Sequence, residues 1–100
     1  MMIYTFHPLA ARELVEAIDY YESLSPGKGL ELSRQVKEAI KQISEFSESA
    51  PIAKDKVRSV LIQPSTRWHF TLYYSINPNG LRILAFAHQS RSPFYWLTRI

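Results

Sequence analysis

The sequence contains no cysteine, only three glycines and, beyond residue 50, a single acidic residue, Asp55. The absence of cysteine excludes a disulfide framework, a thiolate zinc site and a thiol nucleophile, and agrees with a reducing compartment. Gly27, Gly29 and Gly80 do not follow a strand into a helix as a phosphate-cradling loop requires. No apolar run nears the roughly 18 residues of a membrane span. The first residues, MMIYTFHPLAAREL, lack the basic and long apolar regions of a signal peptide. These absences lead us to expect a cytoplasmic protein that does not engage a membrane.

What is present is enough for one core. Within 100 residues, 46% are hydrophobic and 13% aromatic, while 21% are charged, a balance that argues against disorder. We therefore expect a single domain spanning residues 1–100. The net charge of +3 hides an asymmetry. Residues 1–50 hold five Lys/Arg against eight Asp/Glu, a balance of −3, and residues 51–100 hold seven against one, a balance of +6. The basic half calls for an anionic partner, either a nucleic acid or an acidic protein.

Residues 2–6 read as a short strand. Pro8 suits the first turn of a helix, and from Leu9 to Leu24 the residues Ala10, Leu14, Ala17, Ile18 and Tyr21 share one helical face, with Arg12, Glu13, Glu16, Asp19 and Glu22 on the solvated remainder. Ser25-Pro26-Gly27-Lys28-Gly29 breaks the pattern. A second stripe follows, Leu32, Val36, Ala39, Ile40 and Ile43, ending near Phe46. So short a link predicts an antiparallel helical hairpin. Residues 47–56 read as loop. The second half then changes to a period of two. Val57–Gln63 is a strand, Pro64-Ser65-Thr66 a turn, and Arg67–Ile76 a strand with Trp68, Phe70, Leu72, Tyr74 and Ile76 on one side. Asn77–Gly80 is a hairpin turn, and Leu81–His88 a strand apolar on both parities, expected to be covered on both faces. The aromatic tail, residues 89–100, should fold back on the domain. The predicted architecture is α+β, β-α-α-β-β-β, with the helical hairpin on one face of a mainly antiparallel, twisted sheet.

No motif for a metal or cofactor stands out, since His7, His69 and His88 lie on separate elements. What remains is a set of cations. Lys54, Lys56 and Arg58 alternate into the first of these strands and are expected to share a face; Arg67 and His69 share the polar side of the next. Arg82 and His88 have the same parity on the last strand, with Arg91 three residues on. Such a group can clamp phosphates through charge-assisted hydrogen bonds. With Tyr95 or His88 handling protons, it can also stabilise the transition state of RNA cleavage. The same residues equally describe a solvated basic sheet face with a few Arg–Glu pairs to the acidic helices. Arg58 is the hardest to explain structurally, because an arginine within an apolar strand needs a partner.

Several segments, in order, carry a family resemblance. These are His7-Pro8-x-Ala10, Glu16-Ala17-Ile18-Asp19-Tyr20-Tyr21-Glu22, Ser25-Pro26-Gly27-Lys28-Gly29, Val36-x-x-Ala39-Ile40-x-x-Ile43, Val57-Arg58, Tyr73-Tyr74-x-Ile76, and Ile83-Leu84-Ala85-Phe86-Ala87-His88-Gln89-Ser90-Arg91-Ser92-Pro93-x-Tyr95-Trp96. With them the chain resembles the ParE branch of the RelE/ParE toxin superfamily, often called plasmid stabilisation proteins. The resemblance implies the toxin of a type II toxin–antitoxin pair. Its partner would be a small antitoxin that binds operator DNA itself and wraps the toxin with an acidic segment disordered when free. ParE-like toxins poison DNA gyrase, and RelE-like relatives cut mRNA in the ribosome. The fold serves both, and a non-toxic partner in an autoregulatory DNA-binding complex is a third reading. From the cation set with Tyr95, the candidate catalytic residues are Arg58, Arg82, His88, Arg91 and Tyr95, with no reaction assigned to any of them, and those for target or antitoxin binding are Lys54, Lys56, Arg58, Arg67, His69, Arg82 and Arg91; His88 and Arg91 match recurrent positions of the family. Trp68-His69-Phe70 stands where family members carry Phe-Pro-Tyr. Tyr95 is followed by Trp96 and four more residues, unlike the C-terminal Tyr or His-Tyr of RelE-like ribonucleases.

Overall fold

The computed structural model describes residues 2–100. After strand β1 (Tyr4–Phe6) come helices α1 (Pro8–Leu24) and α2 (Lys28–Glu45). Strands β2 (Ile52–Lys54) and β3 (Val57–Leu61), a single helical turn α3 (Ser65–Trp68), strands β4 (Phe70–Asn77) and β5 (Gly80–His88) and a C-terminal 3-10 helix (Tyr95–Arg99) complete the chain. The five strands form one mixed sheet in the order β1-β5-β4-β3-β2, with β1 parallel to β5 and the other pairs antiparallel. The expected α+β class, with a helical hairpin on a sheet, is the observed one.

Helices α1 and α2 form for the reasons their sequences suggest. His7 caps α1, its Nδ1 accepting the Leu9 N–H at 3.1 Å, and Pro8 fills the first turn. The α1 stripe packs Ala10 and Ala17 fully, and Leu14, Ile18 and Tyr21 partly, onto the core; the whole α2 stripe is buried. The junction between the helices is closed by Glu22. Its two carboxylate oxygens accept the N–H groups of Gly27 and Gly29 at 2.9 and 3.0 Å, taking up donors that the start of α2 leaves open. Gly29 is required there, because a Cβ at this position would lie 2.6 Å from the Ile18 carbonyl oxygen.

The sheet departs from the sequence expectation in three places. Residues 52–54 are not loop but the edge strand β2, a segment too short for alternation to reveal. The strand expected from Arg67 begins at Phe70. Pro64 instead starts the α3 turn, whose main chain returns from Trp68 to the Pro64 carbonyl, and His69 ends it in the left-handed conformation (φ 58°, ψ 33°). Trp68 is fully buried all the same, seated by a helical turn. Lastly, β5 does not alternate. Tyr73 and Tyr74 face Ala85 and Ile83, so one extra residue is inserted at Leu84. The bulge places Leu81, Ile83 and Phe86 in the main core beneath the helices, and both Leu84 and Ala85 on the other face. There they pack with Val57 and the tail residue Trp96, which also approaches Tyr73 at 4.9 Å between rings. The tail thus folds back as expected, and β5 is covered on both faces.

Candidate functional site

The bulge and the turns decide where the cations go. Lys54 and Arg58 do not share a face. Residues 55 and 56 form the turn between β2 and β3, Ile52 is the residue opposite Arg58, and Lys54 stands opposite Val57 across an irregular register. Lys54 lies with its ammonium 5.3 Å from the Phe94 ring centroid, and Lys56 is exposed in the turn. Arg58 sits opposite Tyr74, a core residue on the helix side. Its guanidinium donates to the carbonyls of Glu48 and Ala50 at 2.9 and 2.7 Å. The partner that the sequence demanded for it is therefore main chain, where α2 runs into β2. Beside it the Tyr74 hydroxyl donates to the Ser47 carbonyl at 2.7 Å. Burial pushes the Tyr74 phenol above its ordinary 10.0, although Arg58 pulls the other way.

Arg67 and His69 share no strand face either. They belong to α3 and its C-cap, and Arg67 forms a bridge of 2.6 Å to Glu31 on α2 while its guanidinium lies 5.1 Å from the Trp68 ring centroid. Arg82 and His88 fall on opposite faces because the bulge intervenes between them. Arg82 donates to the Phe6 carbonyl at 3.1 Å and to Thr5 Oγ1 at 3.3 Å. His88 pairs with Phe70 on the helix side, its Nδ1 accepting the Ser90 N–H at 3.1 Å, with the His69 ring 6.4 Å away. Among the described residues no group of three His, Cys, Asp or Glu side chains is placed to hold a metal.

Only Arg91 and Tyr95 of the catalytic candidates come together, and they do so around a residue that sequence reasoning assigned to solvent. Glu13, on α1, accepts Arg99 Nη1 at 2.8 Å and the Phe86 N–H at 3.1 Å on one oxygen. The other oxygen takes the Tyr95 hydroxyl at 2.8 Å and Arg99 Nη2 at 3.0 Å. Arg91 stacks on the Tyr95 ring at 3.8 Å and reaches to 3.9 Å from the same carboxylate. Burial raises the Glu13 pKa, but the hydrogen bonds from Arg99, Phe86 and Tyr95 outweigh it and hold the carboxyl below its ordinary 4.5. Burial and the bond to Glu13 push the Tyr95 phenol well above its ordinary 10.0. A Tyr95 phenolate is thereby disfavoured, which weakens this residue as a base. Glu13 stands one position from Leu14 on the flank of the helix stripe, and that flank was the available signal. Arg99 carried none.

The cluster has a structural reason. Strand β1 covers β5 only from Leu81 to Ile83. Beyond it, the Phe86 N–H is taken by Glu13 and the Leu84 carbonyl by Arg99 at 3.0 Å. Two side chains thus stand in for the missing strand. At the opposite edge an apolar groove of about 800 Å³ opens between the end of α2 and β3, lined by Ile43, Phe46, Val60, Leu61 and Tyr73 among others. No charged side chain lines it. No helix among the described residues is long and apolar enough to cross a membrane.

A family model described as the ParE toxin of a type II toxin-antitoxin system, parDE, matches residues 4–93. No curated protein matches the sequence. Among solved structures, the fold is similar to that of a chain described as belonging to the chromosomal ParDE TA system from P. aeruginosa. The two are 23% identical with a TM-score of 0.72, and the match covers 88% of this chain and 96% of that one.

Proposed function

The chain belongs to the ParE toxin family of type II toxin–antitoxin systems, and from that premise we propose that it arrests bacterial growth in the cytoplasm by binding and poisoning DNA gyrase until a cognate antitoxin neutralises it. The observation that carries this reading is the fate of four of the five candidate catalytic residues. Arg58 is spent on the carbonyls of Glu48 and Ala50, and the Tyr95 hydroxyl on Glu13. Arg82 and His88 lie on opposite faces of the sheet. A general base, a general acid and a phosphate clamp must converge within hydrogen-bond reach of one scissile bond, and these side chains do not. The arrangement favours action by binding over action by cleavage. Lys54, Lys56, Arg82 and Arg91 supply positive charge for an anionic target or partner. Operator DNA would be reached only through the antitoxin.

Purified chain, added to gyrase at micromolar concentration, is expected to block supercoiling and to accumulate cleaved DNA. Unaffected gyrase overturns the proposal. Codon-linked cuts in mRNA from induced cells would instead establish a ribosome-dependent endoribonuclease, and undisturbed growth on overexpression would leave a purely regulatory role.

A further inference from the structure

The seven Lys/Arg side chains after residue 50 divide into two groups. Arg58, Arg67 and Arg99 are engaged within the fold, on the carbonyls of Glu48 and Ala50, on Glu31 and on Glu13. Lys54, Lys56, Arg82 and Arg91 are not matched in this way. Among the described residues neither lysine pairs with a carboxylate. Arg82 donates to uncharged oxygens, the Phe6 carbonyl and Thr5 Oγ1. Arg91 stands 3.9 Å from Glu13, whose two oxygens already hold Arg99. These four cations against Asp55, the one acid of this half, leave +3. Strand pairing places them on the face away from the helices. Val57 lies there beside Leu84, Ala85 and Trp96. Ser75 is opposite Val57, Arg82 opposite Ser75, and Lys54 opposite Val57 on its other side. Lys54 and Arg82 thus end one row across four strands, about 14 Å apart at the usual strand spacing. The tail crosses the same face. Its Phe94 ring is 42% exposed, with the Lys54 ammonium 5.3 Å from the centroid, and the next ring, Tyr95, carries Arg91 at 3.8 Å. Phe94 is held in the left-handed conformation (φ 59°), which glycine tolerates and a phenylalanine adopts at a cost.

We propose that this outer face binds a single strand of nucleic acid, with a base stacked on Phe94 and the flanking phosphates bonded to Lys54, Lys56, Arg82 and Arg91; the proposal rests on the gyrase reading above, which makes the strand part of the DNA that the enzyme holds. A single strand is the occupant that answers both features at once. Its phosphates meet the cations, and its bases, free of a pairing strand, present flat faces to an exposed ring. A duplex keeps its bases stacked on one another and leaves Phe94 uncovered. An acidic peptide answers the cations alone. Arg91 is suited to a phosphate because its planar guanidinium is already oriented on the Tyr95 ring. A chain that grips both the enzyme and an unpaired strand opposes rejoining of that strand, so cleaved DNA accumulates.

The test titrates the purified full chain into a fluorescein-labelled DNA strand of about 12 nucleotides and follows its anisotropy. Four phosphate contacts predict a logarithmic salt slope of about −3, a loss of affinity of roughly 50-fold between 50 and 200 mM salt. The double variant Lys54→Gln, Lys56→Gln should flatten that slope to about half. Phe94→Gly should weaken binding by roughly tenfold at every salt concentration and keep the slope, since stacking involves no phosphate. Glycine suits the backbone at this position, so the variant is expected to fold. Lys41→Gln, on α2 in the helix layer, should bind as the wild-type chain does. With gyrase, Phe94→Gly should still bind the enzyme but accumulate several-fold less cleaved DNA. Absence of binding at low salt overturns the proposal, as does unchanged affinity of Phe94→Gly or equal affinity for a duplex of the same sequence. Tighter binding of the corresponding RNA strand would assign the face to RNA, and displacement of the DNA by polyglutamate of equal charge would assign it to an acidic protein; each overturns it too. The salt slope of the wild-type chain needs no substitution, so it decides even if a variant misfolds. If the wild-type chain binds the strand and leaves gyrase unaffected, the gyrase reading alone fails, a result distinct from these.

Discussion

Glu13 and Arg99 meet in a bidentate pair, 2.8 and 3.0 Å from nitrogen to oxygen, that joins the first helix to the end of the chain. Their side chains retain 16% and 9% of their exposure, so the pair is screened from water on most sides. Each partner also holds a main-chain group of β5. Removing one charge strands the other and opens an N–H or a carbonyl as well. We expect Glu13→Gln to cost about 2–4 kcal/mol, a discount on the fully buried case, and to lower the melting temperature by roughly 10 °C or more. Calorimetry checks the magnitude. A double-mutant cycle with Arg99→Gln should show coupling, and additive effects would contradict the pairing.

The same carboxylate makes stability depend on acid. Its folded pKa lies below the ordinary 4.5, so the stabilisation is fully present above that value and is lost as pH falls through the folded pKa. Unfolding midpoints in denaturant should therefore drop below about pH 4.5 more steeply for the wild-type chain than for Glu13→Gln. Parallel curves for the two proteins would show that Glu13 titrates alike in both states. The tail should be the first segment to open, which proteolysis beyond residue 89 can follow.

Much of the architecture was legible because it rests on periodicity. All five residues of the α2 stripe are buried, and the two-residue turn after Asn77 pairs Asn77 with Gly80. What sequence could not convey was the local irregularity that re-aims side chains. One inserted residue at Leu84 separates Arg82 from His88, and the turn at residues 55 and 56 separates Lys54 from Arg58. A parity argument spanning such a point fails for every residue beyond it. The candidate site was legible as a list of cations, but not as a constellation. Contacts 86 residues apart, such as Glu13 with Arg99, leave no periodic trace.

Arg58 provides a separation of roles. Its guanidinium organises the α2–β2 connection by two hydrogen bonds to carbonyls. Arg58→Ala should destabilise the chain by about 1.5–3 kcal/mol, the range for bonds with one charged partner. Growth arrest should then fall in proportion to the folded fraction. A variant of wild-type stability that has lost all toxicity would instead make Arg58 part of the target-binding surface.

The helical junction offers a sharper steric test. At Gly29 a methyl group would meet the Ile18 carbonyl oxygen at 2.6 Å and the Glu22 side chain at 3.0 Å. The first neighbour is main chain inside α1 and cannot rotate away. Gly29→Ala must push the two helices apart, and overpacking of this kind costs about 1–3 kcal/mol. That loss exceeds the gain of up to about 1 kcal/mol that alanine ordinarily brings within a helix. A melting temperature equal to or above that of the wild-type chain would mean that the α1–α2 contact yields at little cost. The Glu22 clamp should fail in the same variant, because its bonds to the N–H groups of Gly27 and Gly29 depend on that close approach. Amide exchange at residues 27 and 29 should accelerate while exchange at the buried strand β5 changes only as far as global stability falls.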